Sequence, residues 1–414
     1  MNDPAAGARG GAATDGPYGA LGGGAVARPQ PPRRAVPLCN DGRDRYLVVS
    51  EGEWMYGTDV GRSAVGRARP RAHPPVRARR AARVRTVASG VLAGAVLLVG
   101  CSSGGDSSGE DDGESKAPSR ADAPYWINPE GSAARQVAEY RDRDDAEKAE
   151  LIERIASQPV AEWIGVEDPG GQTRGFTEAA AKDELGALLV LYNLPHRDCG
   201  QYSQGGAGGG DEYRAWLDEV VEGIGDRKAT VVVEPDALPH LLQEGCTPRQ
   251  FHEERYALLK EAVGRLKQQP NTKVYLDAGN PDWVRDPGGL VEPLKRAGID
   301  QADGFALNVS NYQTTASNTA YGTKLSSMVG GKPFVIDTSR NGNGPARGHD
   351  TESWCNPPGR ALGEVPTTET GDELVDAYLW IKRPGESDGA CKGGPKAGEW
   401  YPEYALELAR NAKR

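Results

Sequence analysis

The amino-acid sequence predicts an α/β fold in which parallel strands and crossover helices form one barrel-like domain over residues 124–414. In this stretch, short β-branched runs alternate with amphipathic segments, which is the pattern of a parallel sheet covered by helices. The strand-like runs number seven, and no linker-like composition interrupts them. A single catalytic-size domain is therefore expected.

Each predicted strand is short, rich in apolar and β-branched residues, and bounded by turn-forming residues. The seven runs are residues 159–163, 187–194, 229–234, 273–278, 304–309, 333–338 and 377–382. Helices are expected between them. The clearest are 212–224 and 249–266, where apolar residues recur near helical spacing.

The beginning of the chain differs in composition from the rest and is expected to be disordered. Residues 1–86 are rich in Gly, Ala, Pro and Arg without sustained apolar periodicity, so they cannot bury enough apolar surface to offset their conformational entropy. The signal described next lies far from Met1, and Met55 is the only other methionine before it. Translation is therefore expected to start at Met55 or at a later non-Met codon.

Residues 87–101 are predicted to be an export signal. An arginine-rich stretch without acidic residues precedes a short apolar run, and small residues follow, which is typical of a secretory signal peptide. Residues 98–101 resemble a bacterial lipobox, which implies that Cys101 carries a lipid and anchors the protein to the outer face of the cell membrane. The alternative is a buried helix ending in an ordinary cysteine. Residues 102–123 are then a flexible, charged linker.

Four cysteines follow Cys101: Cys199, Cys246, Cys355 and Cys391. An even number in an exported chain predicts two disulfides, for which three pairings exist. Nearest-neighbour pairing closes loops worth about 4 kcal/mol each at most. A zinc site is the competing interpretation, but there is no CxxC spacing and the histidines form no ligand motif. Neither a metal nor a cofactor is expected.

Polar or aromatic residues follow every predicted strand, at the edge where parallel barrels build their active sites. Strand ends meet solvent and are often polar, but seven in succession, four of them bearing carboxylates beside an aromatic residue or arginine, favour a functional site. The residues are Trp163, Arg197, Asp198, Glu234, Asp236, Asp277, Asn308, Asn311, Asp337, Arg340, Lys382, Glu386 and Asp388.

Charge and residue types narrow the chemistry of this site. The net charge is −10, which argues against nucleic acid as a partner. Carboxylates around one cleft suit cleavage of glycosidic bonds, which needs one acid to protonate the leaving oxygen and usually a second carboxylate for water or the anomeric carbon. Eight tryptophans against four phenylalanines fit stacking on sugar rings. Neither a phosphate-binding glycine motif nor a serine nucleophile elbow supports another enzyme class.

Six motifs occur in a fixed order: YNLPHRDC at 192–199, VEPDAL at 233–238, YLDAG at 275–279, DTSRNG at 337–342, WCN at 354–356 and WIKRPGESDG at 380–389. Together they resemble glycoside hydrolase family 6 over residues 124–414. The resemblance implies a distorted, TIM-like barrel of seven parallel strands. It also implies inverting hydrolysis of β-1,4-glucosidic bonds in cellulose or a related β-glucan, and disulfides joining Cys199 to Cys246 and Cys355 to Cys391.

The resemblance also assigns roles to single residues. Asp236 would be the general acid, and Asp198 would raise its pKa and help position water. Asp388 matches the carboxylate usually proposed as base, and Tyr192 would press the sugar at the cleavage point out of its relaxed chair. The other substrate contacts would be stacking by Trp163, Trp283 and Trp354 and hydrogen bonds from Asn311, Lys382 and Glu386.

Three acidic residues near these positions also have structural interpretations. Asp277 is as readily a helix cap or an arginine partner as a sugar ligand, and Asp337 is expected to be a structural ion-pair partner. Glu234 is a candidate supporting carboxylate, because it would share one side of a strand with Asp236 by the period-two rule unless Pro235 breaks the alternation.

The chain departs from the family pattern after Asp277. Asn280 stands where the family usually has histidine, which alters one expected hydrogen bond to substrate. Asp286 replaces a second tryptophan expected three residues after Trp283, so an outer sugar subsite is predicted to be missing.

Loop length favours cutting inside polymer chains over an exo-acting cellobiohydrolase. Only Gly389 and Ala390 separate Asp388 from Cys391, a connection too short to roof the cleft. The glycine-rich run 205–210 is expected to be a mobile loop that closes over substrate. The sequence is also compatible with a catalytically inactive carbohydrate-binding lipoprotein and with a hydrolase of a different β-linked polysaccharide. The protein is expected to be monomeric, with the polysaccharide and the membrane as partners.

Overall fold

The computed structural model describes residues 123–346 and 352–413. The predicted N-terminal region, the export signal with Cys101 and nearly all of the linker therefore lie outside the described residues. In the part that is described, no helix is both long enough and apolar enough to cross a bilayer.

The described residues form one seven-stranded sheet in which every strand runs parallel to its neighbours, in chain order. Val160, just before the first strand, forms a parallel bridge with Trp380, just after the last one. The sheet therefore curls into the distorted barrel that the resemblance implies. The strands are β1 (Glu162–Ile164), β2 (Ala187–Leu191), β3 (Ala229–Val233), β4 (Thr272–Asp277), β5 (Gly304–Leu307), β6 (Phe334–Asp337) and β7 (Val375–Leu379).

Helices precede the barrel, connect most of its strands and close the chain. The two longer predicted helices correspond to α4 and α6, the second preceded by a short 3₁₀ turn, Arg249–Phe251. The helices are α1 (Ser132–Asp142), α2 (Ala146–Ala156), α3 (Pro169–Lys182), α4 (Gly210–Ile224), α5 (Pro239–Leu242), α6 (His252–Leu266), α7 (Val291–Arg296), α8 (Thr315–Met328) and α9 (Pro402–Asn411).

The strands are buried on both faces, which explains their nearly continuous apolar sequences. Leu188 and Val190 point into the barrel, whereas Leu189 and Leu191 pack against the helices outside it. A third apolar cluster joins α1, α2 and α9 to Trp380. The barrel edge next to β1 and β7 is thus covered by both ends of the domain.

Most predicted strands extend one to three residues beyond the observed ones. The chain leaves the extended conformation at these points because residues just after the strands adopt left-handed backbone angles. Glu234 has φ 50°, Asp236 70° and Asn308 66°. Such angles are uncommon for residues other than glycine and occur often at functional sites, where the surrounding structure enforces them.

Candidate active site

The C-terminal ends of the strands open into one cleft of about 760 Å³. Every residue predicted to be catalytic or to contact substrate lines this cleft. They are Asp198, Asp236, Asp388, Trp163, Tyr192, Trp283, Asn311, Trp354, Lys382 and Glu386.

The segment after β3 separates two carboxylates that the sequence places two residues apart. Glu234 is 1% exposed and accepts hydrogen bonds from the backbone N–H groups of Asn193 and Leu194, both at 2.9 Å. Asp236 instead faces the cleft. Pro235 therefore stands where the strand alternation breaks, and Glu234 supports the turn that carries Tyr192.

Asp236 is surrounded so that its protonated form is favoured. Burial, together with the negative charges of Asp277 and Asp198, raises the pKa of Asp236 well above its ordinary value, and a hydrogen bond from Tyr192 only partly opposes this. A carboxyl group that keeps its proton near neutral pH can donate it to a leaving oxygen.

Asp277 lies behind Asp236 and outside the cleft lining. Its Oδ2 atom accepts the backbone N–H groups of Asp236 at 2.9 Å and Gly279 at 3.3 Å. Burial raises the pKa of Asp277 to about 7, although these hydrogen bonds stabilise its charge. A structural role for Asp277, in which it fixes the backbone of Asp236, fits this geometry better than contact with a sugar.

Asp198 begins a 3₁₀ turn, Asp198–Gly200, and its carboxylate accepts the Ser203 N–H at 2.5 Å. Burial raises the pKa of Asp198, while that hydrogen bond and Arg197 lower it. A disulfide between Cys199 and Cys246 fastens this turn to the segment after α5. The backbone next to Asp198 is therefore held on both sides.

Asp388 is a buried carboxylate held in its ionised form. Its Oδ2 atom accepts hydrogen bonds from Arg340 Nη1 at 2.8 Å, the Asn356 N–H at 3.0 Å and the Tyr312 hydroxyl at 3.1 Å. Lys382 Nζ lies 3.5 Å from Oδ1. Burial alone would raise the pKa of Asp388, but Arg340 and Lys382 outweigh it and the pKa lies below its ordinary value.

The contacts of Asp388 extend into the rest of the domain. Tyr312 also shares a hydrogen bond of 3.0 Å with the hydroxyl of Tyr404, on α9. A disulfide joins Cys355, the neighbour of Asn356, to Cys391, three residues after Asp388. The segment that carries Asp388 is therefore covalently linked to the segment that carries its partner Asn356.

Asp337 has the structural role that was favoured over a catalytic one, but the predicted ion pair is wrong for the described residues. Asp337 is fully buried and accepts backbone N–H groups from Ser310 at 2.9 Å, Ser339 at 3.0 Å and Lys382 at 3.0 Å. The nearby Arg340 pairs with Asp388 instead. The end of β6 directs Asp337 towards the turns after β5 and β7, where unpaired amides need an acceptor.

Aromatic side chains form the walls of the cleft. Trp163 meets Tyr192 edge-on with ring centroids 5.4 Å apart, and its indole N–H donates to Ile381 O at 2.9 Å. On the opposite side of Asp236, Trp283 lies against the imidazole of His240, a residue outside the six sequence motifs.

Tyr202 also lies at the cleft and was not predicted from the sequence. It belongs to the loop that contains the glycine-rich run, and its ring lies 6.0 Å from that of Trp354. Its hydroxyl donates to Glu352 at 3.3 Å. Some residues at the cleft that were not predicted stand close in sequence to predicted ones, and this proximity could have indicated them. Tyr312 directly follows Asn311, and His240 lies four residues after Asp236.

The fold brings together three groups that have no metal-binding spacing in sequence. Atoms of Cys199, His240 and Cys246 that are able to ligate a metal lie within 4.8 Å of one another. The two cysteines are joined in a disulfide, however, and so provide no thiolates. This cluster therefore does not fit a metal ion in the oxidised protein.

A parallel α/β barrel with an aromatic-lined cleft and differently tuned carboxylates defines a glycosidase-type site. The chain belongs to glycosyl hydrolases family 6, whose model matches residues 120–412.

Several bacterial proteins named endoglucanases are similar to this chain. Endoglucanase A of Cellulomonas fimi is 43% identical over 295 residues, covering 70% of this chain and 61% of its own length. Endoglucanase A of Thermobispora bispora is 40% identical, covering 72% of this chain and 64% of its own length. The chain thus spans less than two thirds of these two relatives. Endoglucanase 1 of Streptomyces halstedii is 41% identical, covering 69% of this chain and 88% of its own length.

Among solved structures, one similar to this chain is the endoglucanase Cel6 from Mycobacterium tuberculosis in complex with methyl-cellobiosyl-4-deoxy-4-thio-β-D-cellobioside. It is 40% identical with a TM-score of 0.65, covering 70% of this chain and 98% of that one. An Orpinomyces sp. Y102 enzyme of the same family is 28% identical with a TM-score of 0.60, covering 70% of this chain and 96% of that one.

Proposed function

We propose that the protein hydrolyses β-1,4-glucosidic bonds inside chains of cellulose or a related β-glucan, with inversion at the anomeric carbon. The observation that carries this proposal is the opposite tuning of two carboxylates in one cleft. The pKa of Asp236 is raised and that of Asp388 is lowered, so one is able to donate a proton while the other stays charged. The names of the bacterial relatives, all endoglucanases, agree with this activity.

In the proposed reaction, Asp236 donates its proton to the glycosidic oxygen as the bond to the anomeric carbon breaks. Water attacks that carbon from the opposite face, and the product has inverted configuration. Asp198 raises the pKa of Asp236 and helps to position the water. Asp388 is the proposed base, and its ionised state meets the first requirement for accepting the proton of the water.

The proposed substrate track follows the strand ends. Tyr192 contacts the sugar at the cleavage point, and the tryptophans of the cleft stack on neighbouring rings. Hydrogen bonds to hydroxyl groups would come from Asn311, Lys382 and Glu386. Glu386 is oriented by Arg383, whose Nε lies 3.0 Å from its carboxylate.

Internal cutting requires that a polymer enter the cleft from the side. The link from Asp388 to Cys391 contains only two residues, and the disulfide of Cys391 restricts it further. In the described residues, Tyr202 approaches Trp354 across the cleft through a ring contact, and its hydroxyl forms a hydrogen bond at 3.3 Å. The short link after Asp388 therefore favours entry of a polymer from the side, although Tyr202 packs against both Trp354 and Gly389 at the cleft.

We further propose that the protein is exported and attached to the outer face of the cell membrane by a lipid on Cys101, as a monomer. Two disulfides are typical of proteins in oxidising compartments, which supports export. The anchor rests on the sequence of the signal alone.

The proposal is tested by following viscosity and reducing ends together on carboxymethyl cellulose, with the anomeric configuration of new ends read by NMR. A steep early fall in viscosity and α-configured products are expected. Products of β-configuration would overturn the inverting mechanism, and slow viscosity loss with cellobiose as nearly the sole product would indicate exo-acting hydrolysis. Binding of cello-oligosaccharides without hydrolysis would identify the inactive lipoprotein.

A further inference from the structure

His240 is a buried imidazole at the cleft without a hydrogen-bond partner among the described residues. It is 6% exposed, and its ring nitrogens receive no hydrogen bond from residues 123–346 or 352–413. Its backbone N–H donates to Asp236 O at 2.9 Å, which fixes it one turn after the acid. Because His240 lines the cleft, its ring nitrogens are able to take a hydrogen-bond partner there.

The surroundings of His240 favour a neutral ring. Burial, assisted by the positive charge of Arg255, lowers the pKa of His240 to about 4. Above that pH the ring offers one N–H donor and one nitrogen acceptor. A sugar hydroxyl both donates and accepts hydrogen bonds, so it is a suitable partner for a neutral imidazole.

Asn280, at the position where the family pattern has histidine, is engaged elsewhere. It is 3% exposed, and its Oδ1 atom accepts the backbone N–H groups of Asp282 and Trp283, both at 3.1 Å. This side chain therefore fixes the turn that carries Trp283. The ring of His240 also contacts that tryptophan, with ring centroids 5.0 Å apart.

The order of the strands places Trp283, which the ring of His240 contacts, relative to the bond that is cleaved. Tyr192 follows β2, Asp236 follows β3 and Trp283 follows β4. Trp283 thus lies on the side of the acid away from Tyr192, and the ring of His240 contacts it while also approaching the sulfurs of Cys199 and Cys246. If Tyr192 contacts the sugar that undergoes attack, this side holds the sugar that leaves.

We propose that His240 hydrogen-bonds a hydroxyl of the leaving sugar that stacks on Trp283, and so favours a saccharide over an apolar leaving group. This inference rests on the proposed hydrolysis of β-glucan. His240 would be a specificity-determining residue that supplies, from α5, the imidazole that this chain does not have at position 280.

The test compares His240→Phe, which keeps a ring but removes both nitrogens, with wild type on cellopentaose and on a dinitrophenyl β-cellobioside. Only the first substrate has hydroxyls on its leaving group. His240→Phe should lower kcat/KM for cellopentaose by about 3- to 10-fold, the size of one hydrogen bond, with much less effect on the aryl substrate. His240→Asn should recover part of the loss.

The matched control is His252→Phe, because His252 lies outside the cleft and hydrogen-bonds Thr247 O at 2.8 Å. This control should leave both substrates unchanged. Equal losses by His240→Phe on both substrates would show a structural role and overturn the inference, as would an unchanged rate on cellopentaose.

A separate binding experiment distinguishes failure of this inference from failure of the proposed function. Calorimetry with cellotetraose is carried out in the Asp236→Asn background, with and without His240→Phe. Weaker binding by about 3- to 10-fold supports the contact even if the wild type hydrolyses no glucan. Equal affinity overturns it even if hydrolysis is confirmed.

Discussion

Replacing Arg340 with methionine should lower the free energy of unfolding at pH 7 by about 3 to 5 kcal/mol, because a buried carboxylate would lose its main partner. Arg340 is fully buried and lies 2.8 Å from Asp388 Oδ2. It also donates to Ser310 O at 2.6 Å. Two hydrogen bonds from a charged group, at about 1.5 to 3 kcal/mol each, lead to a similar magnitude.

The cost should depend on pH in a defined direction. In the native protein the pKa of Asp388 is depressed, so its contribution is present above the unfolded pKa and is lost as pH falls through the folded one. Without Arg340, burial would dominate and the pKa of Asp388 should rise. As the pH falls, Asp388 of the folded variant would bind a proton and lose its unpaired charge. The loss in free energy of unfolding caused by Arg340→Met should therefore become smaller between pH 7 and pH 4.

Urea unfolding followed by tryptophan fluorescence, with the disulfides intact, measures these differences. Adding Asp388→Asn to Arg340→Met removes the unpaired charge and should recover about 1 to 3 kcal/mol. The control is Arg141→Met, since the Arg141–Glu153 pair is exposed and should contribute less than about 1 kcal/mol. If Arg340→Met cost no more than this control, or Asp388→Asn gave no recovery, the buried pair would not have the assigned importance.

The remaining predictions concern catalysis and location. Asp236→Asn should lower kcat on unactivated glucan by about 10²- to 10⁴-fold while calorimetry shows retained cellotetraose binding, and activity within a few-fold of wild type would contradict its role as acid. Activity should fall as pH rises through the pKa of Asp236, because the acid then loses its proton. Asp198 helps to raise that pKa, so Asp198→Asn should move the alkaline limb of the kcat/KM profile to lower pH. An unmoved limb would argue against an effect of Asp198 on the pKa of Asp236. Cys101→Ser should release the protein from the membrane fraction with unchanged activity per molecule, whereas equal retention would indicate a different anchor.

The strands were predictable because a central parallel strand is buried on both faces and is therefore apolar along its length. Their ends were not, because the chain leaves the sheet through contacts between distant segments. Glu234, for example, is turned aside by the amides of Asn193 and Leu194, some 40 residues earlier in the chain. No local pattern contains that information.

The cleft residues that the sequence predicted lie near strand ends or in motifs of the family, whereas Tyr202 and His240 at the same cleft were not predicted. The hydrogen-bond and ion-pair partners of the cleft residues were not predictable either. Arg340 lies three residues from Asp337 but pairs with Asp388, because the direction of each side chain depends on three separate strand ends. Likewise, spacing along the chain gave no indication that His240 lies beside the sulfurs of Cys199 and Cys246.

Because of the hydrogen bond between Tyr404 and Tyr312, the site is complete only after a late segment of the chain has been synthesised. Tyr404 lies on α9, which packs with α1 and α2 at the two ends of the domain. A nascent chain that has emerged as far as Asp388 already contains every acidic group of the cleft, but the support behind Asp388 is still missing. Helix α9 therefore adds this support only after the rest of the described cleft has been synthesised. A chain without α9 would therefore lack the Tyr404 contact behind Tyr312 and Asp388.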